Sequence, residues 1–155
     1  MRRTHDVALS IAMEFIEAFV KGEYTIAGSL RRKEPTIGDV DIIVSEPLID
    51  ISTRLTDSEF VKKINGGEKK MDVDYKQMRF NIYRSTLHAW GAMLFFLTGP
   101  AGYSIAYRRR AKELGYKLDQ YGLWAKNGSL IASRTEEHIY SALGKQYKDP
   151  ELRGK

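Results

Sequence analysis

The sequence contains no cysteine, which excludes disulfides, thiolate metal sites and a cysteine nucleophile. Histidine is scarce as well. His5, His88 and His138 are scattered along the chain and argue against an all-protein zinc site. No apolar run approaches the roughly 20 residues of a membrane-spanning helix, and the longest candidate, around Met93–Leu97, is far too short. Nor is a signal peptide expected, because the basic start Met1-Arg2-Arg3 leads into an amphipathic pattern rather than an apolar block. Repeats and low-complexity tracts are absent. What remains is an ordinary globular composition, 155 residues with 43% apolar and 29% charged side chains. That is enough for one well-buried core or two small lobes sharing a hinge.

The formal net charge of +5 and a pI near 9.3 suit a polyanionic partner, although many basic proteins bind none. The cluster Arg108-Arg109-Arg110-Lys112 sharpens the case. It follows a glycine-rich stretch on an expected helix, so several cations could meet a phosphate backbone together.

Along the chain, residues 6–21 read as a helix with Val7, Ile11, Phe15 and Phe19 on one broad apolar face. A short strand at 24–27 runs into Gly28-Ser29, and a second strand, 40–44, follows Gly38. A helix near 53–64 is expected to close at Asn65-Gly66-Gly67. Strands at 69–75 and 78–84 then flank a tight turn at Lys76-Gln77. A second lobe starts near His88, with a helix carrying Trp90, Leu94 and Leu97 up to Thr98-Gly99-Pro100. Another helix over 103–114 stops at Gly115. Strands near 117–124 and 129–132 are joined by Asn127-Gly128. Thr135 caps a last helix with Glu136 and Glu137 in its first turn, and Gly144 ends it. The expected fold class is α+β, with lobes at 1–87 and 88–155.

The most informative stretch is Gly28-Ser29-Leu30-Arg31-Arg32, then Gly38-Asp39-Val40-Asp41-Ile42-Ile43-Val44. On a strand, Asp39 and Asp41 point one way while Val40, Ile42 and Val44 point into the core. Adjacent carboxylates repel unless a cation lies between them. Hard divalent ions such as magnesium take oxygen ligands and bridge to substrate phosphates. Gly28 lets backbone N–H groups approach a triphosphate, Ser29 adds a hydroxyl and Arg32 can neutralise phosphate charge. Each piece alone has a plainer reading, as a solvated strand face, a turn or a charged surface. Their combination is much more specific.

This constellation resembles the signature of the nucleotidyltransferase superfamily, and the paired arginines with Gly-Asp-x-Asp resemble its X-family DNA polymerases. Trp90–Gly99 resembles that family's aromatic-Thr-Gly segment, and Arg108 matches an arginine placed near the template strand. Gly115–Leu123 and Thr135 through Arg153 resemble its closing pattern. The resemblance covers nearly the whole chain from about residue 8. It implies a palm (1–87) and a thumb (88–155) that transfer nucleotides from dNTP to a primer 3′-hydroxyl on primer-template or gapped DNA. Magnesium, with manganese as a substitute, would sit on Asp39, Asp41 and position 81. Gly28, Ser29, Arg32 and Gly38 would hold the phosphates, while Phe96, Leu97 and Gly99 form the sugar and base wall. Arg108, Arg109, Arg110, Lys112 and Tyr121 would contact DNA. A monomer inside a cell, viral or microbial, is expected, with no membrane partner.

Four departures accompany the resemblance. No lyase or fingers domain fits before Gly28, so no deoxyribose-phosphate activity is expected. Tyrosine, frequent in the family where Phe96 stands, is missing, and Ser104 replaces a minor-groove asparagine found in some members. Most consequentially, the third metal-binding aspartate falls at Asn81, which cannot accept the primer hydroxyl's proton. Position 81 could be an engineered substitution, a natural inactivation or a site compensated by a neighbour. If Lys76-Gln77 is a two-residue turn, Asp72 lies opposite Asn81 on the same face, and Asp74 opposite Arg79 as a surface ion pair. A slip of one residue would send Asp72 to the other face. The rival functions are a catalytically dead module that binds DNA and nucleotide, and a template-independent nucleotidyltransferase.

Overall fold

The structure, a computed structural model, describes residues 2–155. The fold is α+β, and the chain separates into two compact units, Met1–Arg84 and Ser85–Lys155. The first unit runs β1 (Arg3–Thr4), α1 (His5–Phe19), β2 (Tyr24–Ala27), α2 (Gly28–Arg31), β3 (Thr36–Ile37), β4 (Asp39–Val44), α3 (Leu48–Leu55), β5 (Val61–Gly66), β6 (Lys70–Tyr75) and β7 (Met78–Arg84). Its main sheet has the order β2-β4-β7-β6-β5. The β4–β7 pair is parallel and the remaining pairs are antiparallel.

The two faces of this sheet differ along most of their length, although Ile43, on the same side as Asp41, is buried too. Val40, Ile42, Val44, Val73, Phe80 and Ile82 turn to one side and are fully buried. That side packs in one core with Ala8, Ala12, Phe15 and Ile16 of α1 and Leu48, Ile51 and Leu55 of α3. Phe15 stacks on Phe80 with ring centroids 4.5 Å apart. By strand alternation, Asp39, Asp41, Asp72, Asp74, Arg79 and Asn81 take the other face. Register is pinned by the Lys76-Gln77 turn, whose residues have φ of 48° and 64°, the left-handed pair a two-residue hairpin needs. It sets Asp72 opposite Asn81 and Asp74 opposite Arg79.

Two expectations for this unit need correction. The apolar stripe of α1 is rotated, since Val7 is 45% exposed while Ala8 and Ala12 are buried. Small alanines let the helix approach the sheet closely, an advantage that a count of large apolar residues overlooks. The expected helix over 53–64 divides instead into α3, which starts after Pro47 and buries Leu48, Ile51 and Leu55, and the edge strand β5. An edge strand takes its order from backbone bonds to its neighbour, here β6, and local periodicity does not carry that information.

The second unit opens on a 3-10 turn (Leu87–Ala89), then α4 (Trp90–Thr98), α5 (Ala101–Glu113), β8 (Lys117–Asp119), β9 (Gly122–Trp124), β10 (Leu130–Ala132), α6 (Glu136–Ala142) and a last 3-10 turn (Pro150–Leu152). The strand expected over 117–124 is in fact a hairpin. The Asp119 carboxylate accepts bonds from the backbone N–H groups of Tyr121 (2.9 Å) and Gly122 (3.1 Å) and so forms the turn. Thr135 caps α6 as expected, accepting from the His138 N–H at 3.2 Å.

Glu136 has a larger role than favourable interaction with a helix dipole. Its carboxylate accepts from Arg153 Nη1 at 2.7 Å and Nη2 at 3.2 Å, and Arg153 Nε donates to the Lys148 carbonyl at 2.9 Å. Arg153 side-chain exposure is 0% and that of Glu136 is 3%. The guanidinium carbon lies 5.8, 5.4 and 5.3 Å from the ring centroids of Phe95, Tyr140 and Tyr147. This pair ties the end of the chain to α6 and to the aromatic core. Removing one partner strands a buried charge, so Arg153→Ala should destabilise the second unit by about 3–5 kcal/mol. Urea unfolding followed by tyrosine absorbance checks this, and a loss below about 1 kcal/mol would mean that the pair behaves like a surface ion pair.

Candidate active site

The polar face of the first sheet gathers the residues picked from the sequence. Pairing of β2 with β4 sets Ala27 beside Asp41, and the chain then turns at Gly28 into α2. Gly28 has φ of +62°, and a Cβ there would collide with Asp41 Oδ2. Only glycine allows the backbone to pass so close to that carboxylate. Ser29 follows in the first turn of α2. Arg32 lies just beyond it, its Nε 3.6 Å from Glu34 Oε1. Gly38 precedes Asp39 directly and has Arg2 against it, with a hypothetical Cβ 3.0 Å from Arg2 Nη1. Arg2 also donates from Nε and Nη2 to Oγ1 and the carbonyl of Thr36, at 3.0 and 2.7 Å.

Asn81 sits between the acids. Parallel pairing of β4 with β7 puts it beside Asp41, and its amide Nδ2 donates to Asp41 Oδ1 at 2.9 Å and reaches Asp39 Oδ2 at 3.5 Å. Burial pushes the Asp41 carboxyl above the usual range. The Asn81 bond opposes this, Asp39 repulsion adds to it, and Lys70 and Arg32 oppose it. Asp72 stands on the far side of Asn81 and forms an ion pair with Lys70 (Oδ1 to Nζ 3.5 Å), while Asp74 takes Arg79 at 2.8 Å. Among the described residues, no three His, Cys, Asp or Glu side chains converge as a metal-binding group. The donors that could hold a hard divalent cation are therefore the Asp39 and Asp41 carboxylates, with Asn81 able to offer only an amide.

The remaining candidates belong to the second unit. Phe96 and Leu97 lie in the last turn of α4, Phe96 37% exposed, and Gly99 caps that helix with φ of +57°. On α5, Arg108, Arg109 and Lys112 are exposed, and so is Tyr121 in the β8–β9 turn. Arg110 is half-buried, donating from Nε to the Leu143 carbonyl at the end of α6 (3.3 Å) with Nη1 4.0 Å from Glu113. Ser104 is buried.

A family model described as DNA polymerase beta thumb matches residues 93–154. Over 164 aligned residues the chain is 32% identical to Repair DNA polymerase X of African swine fever virus (isolate Tick/South Africa/Pretoriuskop Pr4/1996), covering 96% of this chain and 93% of that protein. The chain belongs to the X family of DNA polymerases. It is also 28% identical to the DNA polymerase/3′-5′ exonuclease PolX of Bacillus subtilis (strain 168), over 94% of this chain but 27% of the relative. With rat DNA polymerase lambda the identity is 26%, over 86% of this chain and 29% of the relative. In this X-family chain, sequence reading did not single out Arg2, which packs on Gly38, Lys70, which pairs with Asp72, or Tyr83, whose ring centroid lies 5.4 Å from Lys70 Nζ. Lys70 and Tyr83 pair across the β6–β7 hairpin, so the register that places Asp72 would have found them. Arg2 arrives through a two-residue strand pairing that leaves no local signal.

The raised Asp41 pKa has a definite sign. Its neutral form is favoured by folding, so the contribution to stability is present at low pH and is lost as pH rises through the folded-state pKa. Asp41→Asn, which keeps an acceptor for Asn81, should raise the melting temperature at pH 7 more than at pH 4. Melting curves of both proteins across that range test this, and an equal shift at both ends would sink it.

Proposed function

We propose that this chain is a template-directed nucleotidyl transfer scaffold acting on primer-template or gapped DNA, with Met1–Arg84 as palm and Ser85–Lys155 as thumb. The observation that carries this reading is the juxtaposition of Gly28 and Ser29, just past the end of β2, with Asp39 and Asp41 on the neighbouring strand β4, in a chain of the X family. An exposed carboxylate, Asp39, beside a largely buried one, Asp41, with a cradle that only glycine permits, fits a divalent cation shared with a nucleotide. Asp39 and Asp41 would hold that ion, magnesium or in substitution manganese, and it supplies charge neutralisation to a bound triphosphate. Ser29 and the N–H groups following Gly28 donate to phosphate oxygens, and Arg32 and Gly38 border them. On the thumb, Phe96, Leu97 and Gly99 would flank sugar and base. Arg108, Arg109, Lys112 and Tyr121 would contact DNA phosphates, with Arg110 retained as the cap of α6.

Asn81 sets the limit on turnover. Its amide already serves as a clasp for Asp39 and Asp41, it adds no charge, and it cannot take the primer hydroxyl's proton. Asp72 lies opposite Asn81 and pairs with Lys70 at 3.5 Å, so it would have to leave Lys70 to serve as a third carboxylate. This supports slow or absent extension by the chain as it stands, with DNA and nucleotide binding intact. The alternative of an active-site-dead binding module rests on the same observation.

Extension of a primer across a one-nucleotide gap separates the two. Asn81→Asp should raise the rate on the order of a hundredfold in magnesium, the scale of several kcal/mol of transition-state stabilisation. Equal rates for both proteins would point to another carboxylate completing the site. No extension by either folded protein, in magnesium or manganese, would end the polymerase reading and favour the binding module.

A further inference from the structure

The net charge of the chain is not evenly spread. The second unit carries eleven Lys and Arg against six Asp and Glu, while the first balances fourteen against fourteen, so the whole +5 lies on the second unit. Part of that charge borders a cleft that the nucleotidyl-transfer reading leaves unused. Its volume is about 580 Å³, and it lies between the start of β8 and the turn after β9, lined by Tyr116, Lys117, Asp119, Trp124 and Lys126. Leu118 pairs with Leu123 on the buried side of the small sheet, and Lys117 pairs with Trp124, so alternation turns Lys117, Asp119 and Trp124 outward.

The floor of the cleft is held rigidly. Trp124 Nε1 donates to Asp119 Oδ1 at 3.1 Å, the same oxygen that accepts the Tyr121 and Gly122 N–H groups. The indole is thus locked by its polar edge before any ligand arrives. Gly115 and Gly128 line the cleft too, and a Cβ at either would meet nothing within 4 Å. Lys117 has a side chain 78% exposed, with only a long surface pairing of 3.7 Å to Asp119.

We propose that this cleft binds single-stranded DNA, one unpaired base stacking on Trp124 with adjoining phosphates on Lys117 and Lys126. Aromatic floors flanked by cations suit single strands because an unpaired base offers a free π-face, whereas a duplex buries its base faces in its own stack. The site goes beyond nucleotidyl transfer and needs neither metal nor dNTP, so its success or failure is read separately from primer extension.

The test is binding of oligo(dT) of about a dozen nucleotides in EDTA, by tryptophan quenching and by anisotropy of a labelled strand. Wild type should be quenched. Trp124→Leu should bind about tenfold more weakly, and Trp124→Phe, which keeps a ring, close to wild type. The double variant Lys117→Gln/Lys126→Gln should reduce the slope of log affinity against log salt by about 1.4, and carries the test if the Leu variant melts early. Affinity of folded Trp124→Leu within about twofold of wild type would overturn the proposal. Equal quenching by blunt duplex DNA or poly-glutamate would do the same, by showing that charge alone is being read.

Discussion

Asp39 and Asp41 project from one face of β4, two like charges held side by side with one of them largely withdrawn from water. The first unit is organised around tolerating that arrangement. Five strands supply a rigid platform whose opposite face is sealed by α1 and α3, so β4 cannot twist to separate the two acids. Gly28 keeps side-chain bulk away from Asp41, Asn81 donates to both carboxylates, and Lys70 and Arg32 contribute positive potential. Burial and Asp39 repulsion outweigh these contacts and hold the Asp41 carboxyl above the usual range, so its charged form is disfavoured in the fold, a cost that a bound cation would relieve.

Asn81 changes the balance of that site in two directions. A carboxylate there would add a third negative charge to the same sheet face, whereas the amide converts repulsion into two donated bonds. The fold without ligand gains from this, and chemistry that needs a charged third ligand loses. Asp72, its neighbour in the next strand, is compensated by Lys70.

The second unit solves a different problem. About seventy residues make a small core, and this one is completed by a charged pair instead of more apolar area. Arg153 brings the chain's end under three aromatic rings and into contact with Glu136 at the start of α6. With its interior charge neutralised, the unit can keep its excess of cations on the outside, on α5 and around the β8–β9 hairpin. Arg110 differs from the rest of the basic cluster in being half-buried and donating to the end of α6.

Sequence alone determined the local features. The two-faced strand around Asp39 and Asp41, the Lys76-Gln77 turn with its register, the Thr135 cap and the α+β class all follow from side-chain alternation and turn chemistry within a few residues. Family membership was legible for the same reason, since its motifs are short and ordered along the chain. Tertiary structure decided what depends on distant partners. Strand β5 exists through pairing with β6, the face of α1 was chosen by close packing of Ala8 and Ala12, and Arg2 reached Gly38 across more than thirty residues. Glu136 and Arg153, each an ordinary surface residue by composition, became buried because they could neutralise one another. Local pattern records which way a side chain points, but whether a charge can leave water depends on the partner that folding brings to it.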